Sequence, residues 1–254
     1  MTDATQTVVF ISGVGRGIGN GLLQTYLQRD NHLVIGSVRD ATSPQYENLK
    51  SLPTGSKTRL ILVSIESTSP TSATTAIQAA QDAAGGVSHI DLVIANAAIA
   101  PRSARVENVA ESDMTAAFDV NVLGPHRLFK ATYELLGKAK KPVWATISSA
   151  AGSVSLLEGY GVSPLLAYGS SKAAVNWLTV AIHASNPTWI ATAIQPGFVS
   201  TDMGRDGSAD LGVPAPPTDI SESASKIAAF LDNATREKDS GILYDVMAES
   251  KLAF

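Results

Sequence analysis

Cysteine is absent from the 254 residues. No disulfide framework staples this fold, and no thiolate metal site can form. Histidine is scarce, and His32, His89, His126 and His183 lie far apart without ligand spacing, so no metal is expected. Only His126 falls near the candidate chemistry described below, and it reads as a packed or surface histidine. Long apolar runs are missing too. None approaches the ~20 residues that a bilayer-spanning helix needs, so no membrane partner is expected. Nor is there an excess of positive charge. With 19 Lys and Arg against 23 Asp and Glu, the net charge is −4 and the pI about 5.5. That balance argues against nucleic acid or an anionic membrane surface. The one basic cluster, Lys138, Lys140 and Lys141, reads as a solvated turn. The opening MTDATQ lacks a charged-then-apolar signal pattern, so a cytoplasmic location is expected.

What is present is the composition of a soluble globular chain, 44% hydrophobic and 17% charged. Short apolar runs alternate with helical patterns. Thr7 to Ser12 (TVVFIS) is a continuous β-branched run and reads as a buried parallel strand. Further strands are expected at His32 to Val38, Arg59 to Val63, Ile90 to Ala95, Pro142 to Ser148, Trp189 to Ile194 and Gly241 to Tyr244. Helices are expected at Ile18 to Gln28, Tyr168 to Ala184 and Ser221 to Asp232. A long one is expected over Ser112 to Ala139, with Gly124-Pro125 inside it. Ser67 to Ala84 is rich in Ser, Thr and Ala and could be a loop, but Ala76, Ile77, Ala80 and Ala84 keep helical spacing. Strand–helix alternation implies a parallel sheet covered on both faces. No composition break divides the chain, so residues 1–254 read as a single α/β domain. Gly204 to Thr218, rich in Gly and Pro, reads as a mobile flap on it.

After the first strand comes Ser12-Gly13-Val14-Gly15-Arg16-Gly17-Ile18-Gly19. The literal GxGxxG is absent, and the spacing is GxxxGxG. The physics is shared: glycine lets backbone approach a ligand closely, and free N–H groups at a helix start receive an anion. At the second strand's tip stand Val38, Arg39 and Asp40. In a dinucleotide fold an acid here bonds the ribose 2′-OH, whereas an arginine accommodates a 2′-phosphate. Arg39 and Arg16 offer forked donors to a dianion, so NADP(H) is the expected cofactor. Asp40 is the competing signal; it reads as facing solvent or pairing with Arg39.

A second cluster lies between Ile147 and Leu178. Ser148-Ser149 ends the apolar run VWATI, and Tyr168 and Lys172 sit four apart at the head of a helix. Residues at that spacing share a helix face, so the ammonium can lie beside the phenol. Tyrosine ordinarily ionises near 10, and bringing it close to neutrality takes about 3–4 kcal/mol, which Lys172 plus a second cation would supply. The expected product is a proton donor usable near neutral pH, with the Ser149 hydroxyl holding a substrate oxygen against it. Pro125 has no N–H, so the carbonyl of Asn121, four residues earlier, loses its helical partner and is free for a water.

Together, SGVGRGIG (12–19), ANAA (95–98), Asn121 in NVLG, ISSAAG (147–152), YGSSK (168–172) and PGFVSTDMG (196–204) resemble the classical short-chain dehydrogenase/reductase family, in its order and over nearly the whole chain. The VRD at 38–40 and TDMG at 201–204 are similar to its carbonyl-reductase-like and norsolorinic-acid-ketoreductase-like branch. The resemblance implies a Rossmann fold, a doubly wound parallel sheet of about seven strands in the order 3-2-1-4-5-6-7 with helices on both faces. It implies a tetrad of Ser149, Tyr168, Lys172 and Asn121. Ser149 is chosen over Ser148 because it stands three before Gly152. Tyr168 would be the acid in reduction, Lys172 would lower its pKa and bond the nicotinamide ribose, and Asn121 would hold a water in the proton relay. The cofactor would run along Gly13, Gly15, Arg16, Gly17, Ile18, Gly19, Arg39, Ser64, Ile65, Asn96, Ala97, Tyr168, Lys172, Pro196, Gly197, Val199 and Thr201. Val199 and Thr201 would contact the carboxamide.

Departures from the pattern are visible. The family's NNAG stands as Ala95-Asn96-Ala97-Ala98, and Ser64 takes the place of an adenine-binding Asp. The stretch from Ser149 to Tyr168 is longer than the compact form. Its residues Leu156 to Leu166 would make an apolar wall over the carbonyl. Tyr160 in that wall has Pro164 four residues on, not lysine, so it is rejected as the acid. Substrate segments are expected at 153–167 and 200–218, with Leu156, Tyr160, Phe198 and Met203 touching the substrate. The helix after Lys172 is apolar nearly all round, and in this family the second side packs on another subunit, so a homodimer or homotetramer is expected. The resulting expectation is an NADPH-dependent carbonyl reductase acting on a small-molecule ketone or aldehyde. The alternatives are a non-catalytic NADP(H)-binding sensor, disfavoured by the intact tetrad, and an extended-type epimerase or dehydratase, disfavoured by the short chain after Phe198.

Overall fold

The computed structural model describes residues 6–83 and 86–254. Residues 1–5 and Ala84, on which the leader reading and the end of one expected helix rest, lie outside them. Strand β1 (Thr7–Ser12) runs through a glycine turn into helix α1 (Gly17–Leu27). Then follow β2 (His32–Val38), β3 (Arg59–Ser64), α2 (Ser72–Asp82) and β4 (Leu92–Ala95). Helices α3 (Glu111–Phe118) and α4 (Gly124–Leu136) lead to β5 (Val143–Ile147). Helix α5 (Leu166–Ser185), β6 (Ile190–Gln195), α6 (Asp202–Leu211), α7 (Ile220–Asn233), β7 (Leu243–Asp245) and β8 (Ser250–Leu252) complete the chain.

The sheet order is β3-β2-β1-β4-β5-β6-β7-β8. Every pairing is parallel except that of β7 with β8. The expected order holds, with one more strand than the seven expected. The three residues of β8 carry no pattern of their own and form a strand only because β7 offers an edge. Why β1 lacks alternation is now plain. Val9 and Ile11 pack with Leu22 and Leu23 of α1 and Ile227 of α7 on one face. Val8 and Phe10 pack with Ile77 of α2, Leu128 of α4 and Trp144 on the other. Successive side chains enter opposite cores, and burying each is worth about 1.5–3 kcal/mol.

Chain progression reverses at β1, with β2 on one side and β4 on the other. At such a switch point the loops leaving the strands diverge and open a crevice beyond their carboxyl ends. That crevice receives the glycine turn, Asn96, Ser148 and Pro196.

The long helix expected over Ser112 to Ala139 is two helices joined by a π-helical turn, Asp119–Leu123, in which Gly124 N donates to the Asp119 carbonyl. Pro125, without an N–H, makes the regular ladder impossible there, and the wider turn absorbs the mismatch. The flap expected over Gly204 to Thr218 is corrected: its first half belongs to α6. Thr201 caps that helix by accepting from Gly204 N, and Gly212 ends it at φ +66. Among the residues of α6 only Ser208 is buried, so no apolar period betrays it. Helix α5 is not buried all round in the single chain. Val175, Thr179 and Ile182 face inward, while Trp177 is 72% exposed.

Candidate active site

The crevice is a cleft of about 740 Å³. Its floor is backbone. Gly13 lies at φ +74, in the left-handed region that favours glycine. A Cβ on Gly19 would stand 2.2 Å from the Gly13 carbonyl and 2.4 Å from Asn96 Nδ2, so no side chain fits. Helix α1 has no side-chain cap, which leaves its first N–H donors for another partner. Asn96 fixes the turn: its Nδ2 donates to the Ser12 carbonyl at 2.9 Å, and its own N–H and that of Ala97 donate to Ser12 Oγ at 2.9 and 3.0 Å. Ser12 was not legible as part of this lock, although its place directly before Gly13 was the available signal.

At the β2 tip, Arg39 and Asp40 are exposed and line the cleft. Asp40 does not pair with Arg39. Its Oδ1 accepts from Thr42 Oγ1 at 2.6 Å and Thr42 N at 2.9 Å, and those bonds hold its carboxyl below the usual range. Arg16 Nη1 reaches Asp202 Oδ2 at 3.3 Å, with both side chains largely exposed. Tyr46, which no motif marked, stands over Gly15, where an added Cβ would meet its ring at 2.7 Å. Ile65 lines the cleft; Ser64 does not, since its hydroxyl accepts from Ala41 N. Pro196 and Thr201 line the far end. Gly197, at φ +94, and Val199, bridged to Thr218, shape that wall from behind.

The second cluster meets the cleft from the β5 side. Ser148 is buried and donates to Asn176 Oδ1 at 2.5 Å, so its hydroxyl is occupied. Ser149 Oγ accepts from Ala151 N at 3.1 Å, and the side chain lies near enough to Tyr168 to lower its pKa. Asn176, one helical turn beyond Lys172, belongs to none of the sequence motifs. Lys172 is 3% exposed, and its Nζ donates to the Ile147 carbonyl at 2.8 Å and stands 5.5 Å from the Tyr168 ring centroid.

The expected acidic phenol is corrected. Burial pushes Tyr168 up to about 12, against a smaller lowering from neighbouring Ser149. Burial also pulls Lys172 down to about 8. Burial dominates both shifts, and the ammonium is directed to the Ile147 carbonyl. Asn121 is buried at the π turn. Its Oδ1 accepts from Ile99 N and its Nδ2 donates to Ile99 O, both at 2.8 Å, and Nδ2 also donates to Ser171 Oγ at 3.0 Å.

Of the expected substrate residues only Met203 lines this cleft; Tyr160 and Phe198 are exposed, and Leu156 is half-buried. No group of His, Cys, Asp or Glu among the described residues could hold a metal. No described helix is long and apolar enough to cross a membrane.

The sequence pattern described as short chain dehydrogenase matches residues 7–212. A short-chain dehydrogenase of Neurospora crassa is 42% identical over 244 residues, 94% of each chain. A norsolorinic acid ketoreductase of Aspergillus parasiticus is 35% identical, covering 93% of this chain and 87% of its own. Among solved structures, an NADPH-bound carbonyl reductase from chicken fatty liver superposes with a TM-score of 0.85 at 28% identity, covering 100% of this chain and 96% of its own.

Proposed function

The chain belongs to the short-chain dehydrogenase family, and from that premise we propose that it is an NADPH-dependent carbonyl reductase whose proton donor is Tyr168. The coarser statement, an oxidoreductase acting between CH–OH and C=O, already follows from membership and from ketoreductase relatives. The observation that carries the finer one is Tyr168 beside buried Lys172, with Nζ 5.5 Å from the ring centroid and both residues lining a glycine-floored cleft.

The residues fit a phosphorylated dinucleotide. The Gly13–Gly19 cradle, which a Cβ would fill, and the uncapped start of α1 suit a pyrophosphate. Arg39 makes no ion pair among the described residues, and Arg16 has only an exposed carboxylate to leave. Asp40 is engaged by Thr42 and is not poised for a ribose hydroxyl. These facts favour NADP(H) over NAD(H). Asn96, Ala97, Pro196 and Thr201 would hold the remainder. When bound, the reduced nicotinamide supplies hydride to a carbonyl carbon.

The chain's own residues do the rest. Ser149 Oγ orients the carbonyl oxygen, and the Tyr168 phenol, protonated at neutral pH, delivers the proton to it. Lys172 is still charged at pH 7 and offsets the tyrosinate left behind. Asn121, at the π turn, would present its carbonyl to a water that returns the proton. Met203 lines the cleft, and exposed Val154, Leu157 and Tyr160 in the segment 153–167, with Phe198 just before the segment 200–218, would give a bulky apolar substrate further contact outside that lining. Exposed Trp177 on α5 suits a second copy of the chain, giving a homodimer or homotetramer. Replacing Tyr168 by Phe is expected to cut ketone-dependent NADPH oxidation by at least about a thousandfold while NADPH still binds. Retained turnover would refute the assignment.

A further inference from the structure

Asp210 sits in the last turn of α6 (Asp202–Leu211), where the helix dipole disfavours a carboxylate. It is nevertheless shielded, its side chain 8% exposed against 81% for its partner Arg102. Asp210 Oδ1 lies 2.6 Å from Arg102 Nη2, and Oδ2 accepts from Ser103 N at 3.1 Å. A carboxylate placed against its own helix and bonded to a distant segment is there for that segment.

The segment is residues 99–104, and each of its ends is gripped by something else. Ile99 has both its N–H and its carbonyl held by the Asn121 side chain. Ala104 N donates to the Pro164 carbonyl at 3.0 Å. Residues 99–104 therefore form a strap joining the π turn, the 153–167 segment and, through Asp210, α6. Met203, in the first turn of that helix, lines the cleft.

We propose that Asp210 is a positioning residue that holds α6 against the 99–104 strap and so sets the size of ketone the mouth accepts. The proposal rests on the reading of the cleft as a ketone-reducing site. Ile99 at the start of the strap and Met203 of α6 line the cleft, so a large ketone would reach both, whereas a small one would need only Ser149 and Tyr168. Purified wild type, Asp210→Asn, Asp210→Ala and Arg102→Ala are compared with NADPH on 2-acetylanthracene and on 2,3-butanedione. For Asp210→Ala the large ketone's KM is expected to rise about tenfold with kcat within about twofold, while the small ketone's kcat/KM and the NADPH Kd stay within about twofold. Arg102→Ala, on the surface, is expected to move the same ratio about threefold and serves if Asp210→Ala does not fold. A general loss of structure would lower both ketones alike, and that result, or an unchanged or improved ratio, overturns the proposal. Amide exchange gives a readout independent of turnover: residues 99–104 and 202–211 are expected to exchange about tenfold faster together in Arg102→Ala. Unchanged exchange removes the latch. Wild type that reduces neither ketone refutes the site reading, and exchange still decides the latch.

Discussion

The two ends of the cleft are built differently. The end proposed for the cofactor is made of strand tips and backbone: the glycine turn after β1, Asn96 after β4 and their mutual hydrogen bonds. The end proposed for the substrate is made of short helices and connecting segments with exposed apolar side chains, joined by single long-range contacts such as Ala104 to Pro164 and Arg102 to Asp210. A sheet edge places backbone donors with little freedom, so the first end is specified by a few glycines. The second end has no such scaffold, and its shape depends on which side chains tether which segments. The contrast teaches that one end serves a ligand of constant shape and that the other can vary with the substrate.

The sharpest way to break this comparison is Gly19→Ala. The new Cβ would stand 2.2 Å from the Gly13 carbonyl. NADPH affinity measured by fluorescence is expected to fall by about a thousandfold, worth roughly 4 kcal/mol, with thermal unfolding still cooperative. Little loss of affinity would mean that the turn does not hold the dinucleotide.

Lys172 tests the boundary between the two ends. Its pKa falls from 10.5 to about 8 on folding, so the unfolded chain holds that proton more tightly. Stability from this group is present above 10.5 and is lost as pH falls through about 8, by about 3 kcal/mol at most. From pH 8 to 9, where Tyr168 stays largely protonated in both states, the Tm of the protein should rise relative to Lys172→Met. Parallel Tm curves would show that Lys172 is not titrating there.

Smaller effects are expected at the β2 tip. Arg16→Ala or Arg39→Ala should weaken NADPH about tenfold, roughly 1.4 kcal/mol, and leave NADH within about twofold. Equal losses for the two cofactors would place the arginines away from the 2′-phosphate. Smallest of all is Tyr160→Ala, 51% exposed in the 153–167 segment. It should raise the KM for a bulky ketone no more than about threefold, since a half-solvated ring contributes little. A larger effect would make that segment as sharply specified as the glycine turn.

Legibility follows the same division. The core strands were readable because each is a continuous apolar run between two packed faces, and β2 matched residue for residue. The glycine turn was readable because its chemistry is local. The neighbourhood of Tyr168 and Lys172 was readable as a spacing but not as an energy. Four residues on a helix say that two groups are near, not how deeply both are buried or that Nζ faces the Ile147 carbonyl. Helix α6 was read as a flap because Gly204, Gly207 and a polar surface hide a helix that buries almost nothing. Tyr46, Asn176 and Asp210 left no pattern, since each matters only through a partner far along the chain.

Local order in the residues was enough to settle the alternation of strands and helices and the place of the glycine turn, and to set Tyr168 and Lys172 one helical turn apart. Those properties depend on neighbours within a few positions, where propensity and spacing act directly. The sign of the Tyr168 and Lys172 shifts, the bonds of Asn121 in the π turn to Ile99 and Ser171, and the joining of α6 to the 99–104 strap were decided only when the chain closed on itself. Desolvation and long-range hydrogen bonds come into being with the packed interior, and no window of residues contains them.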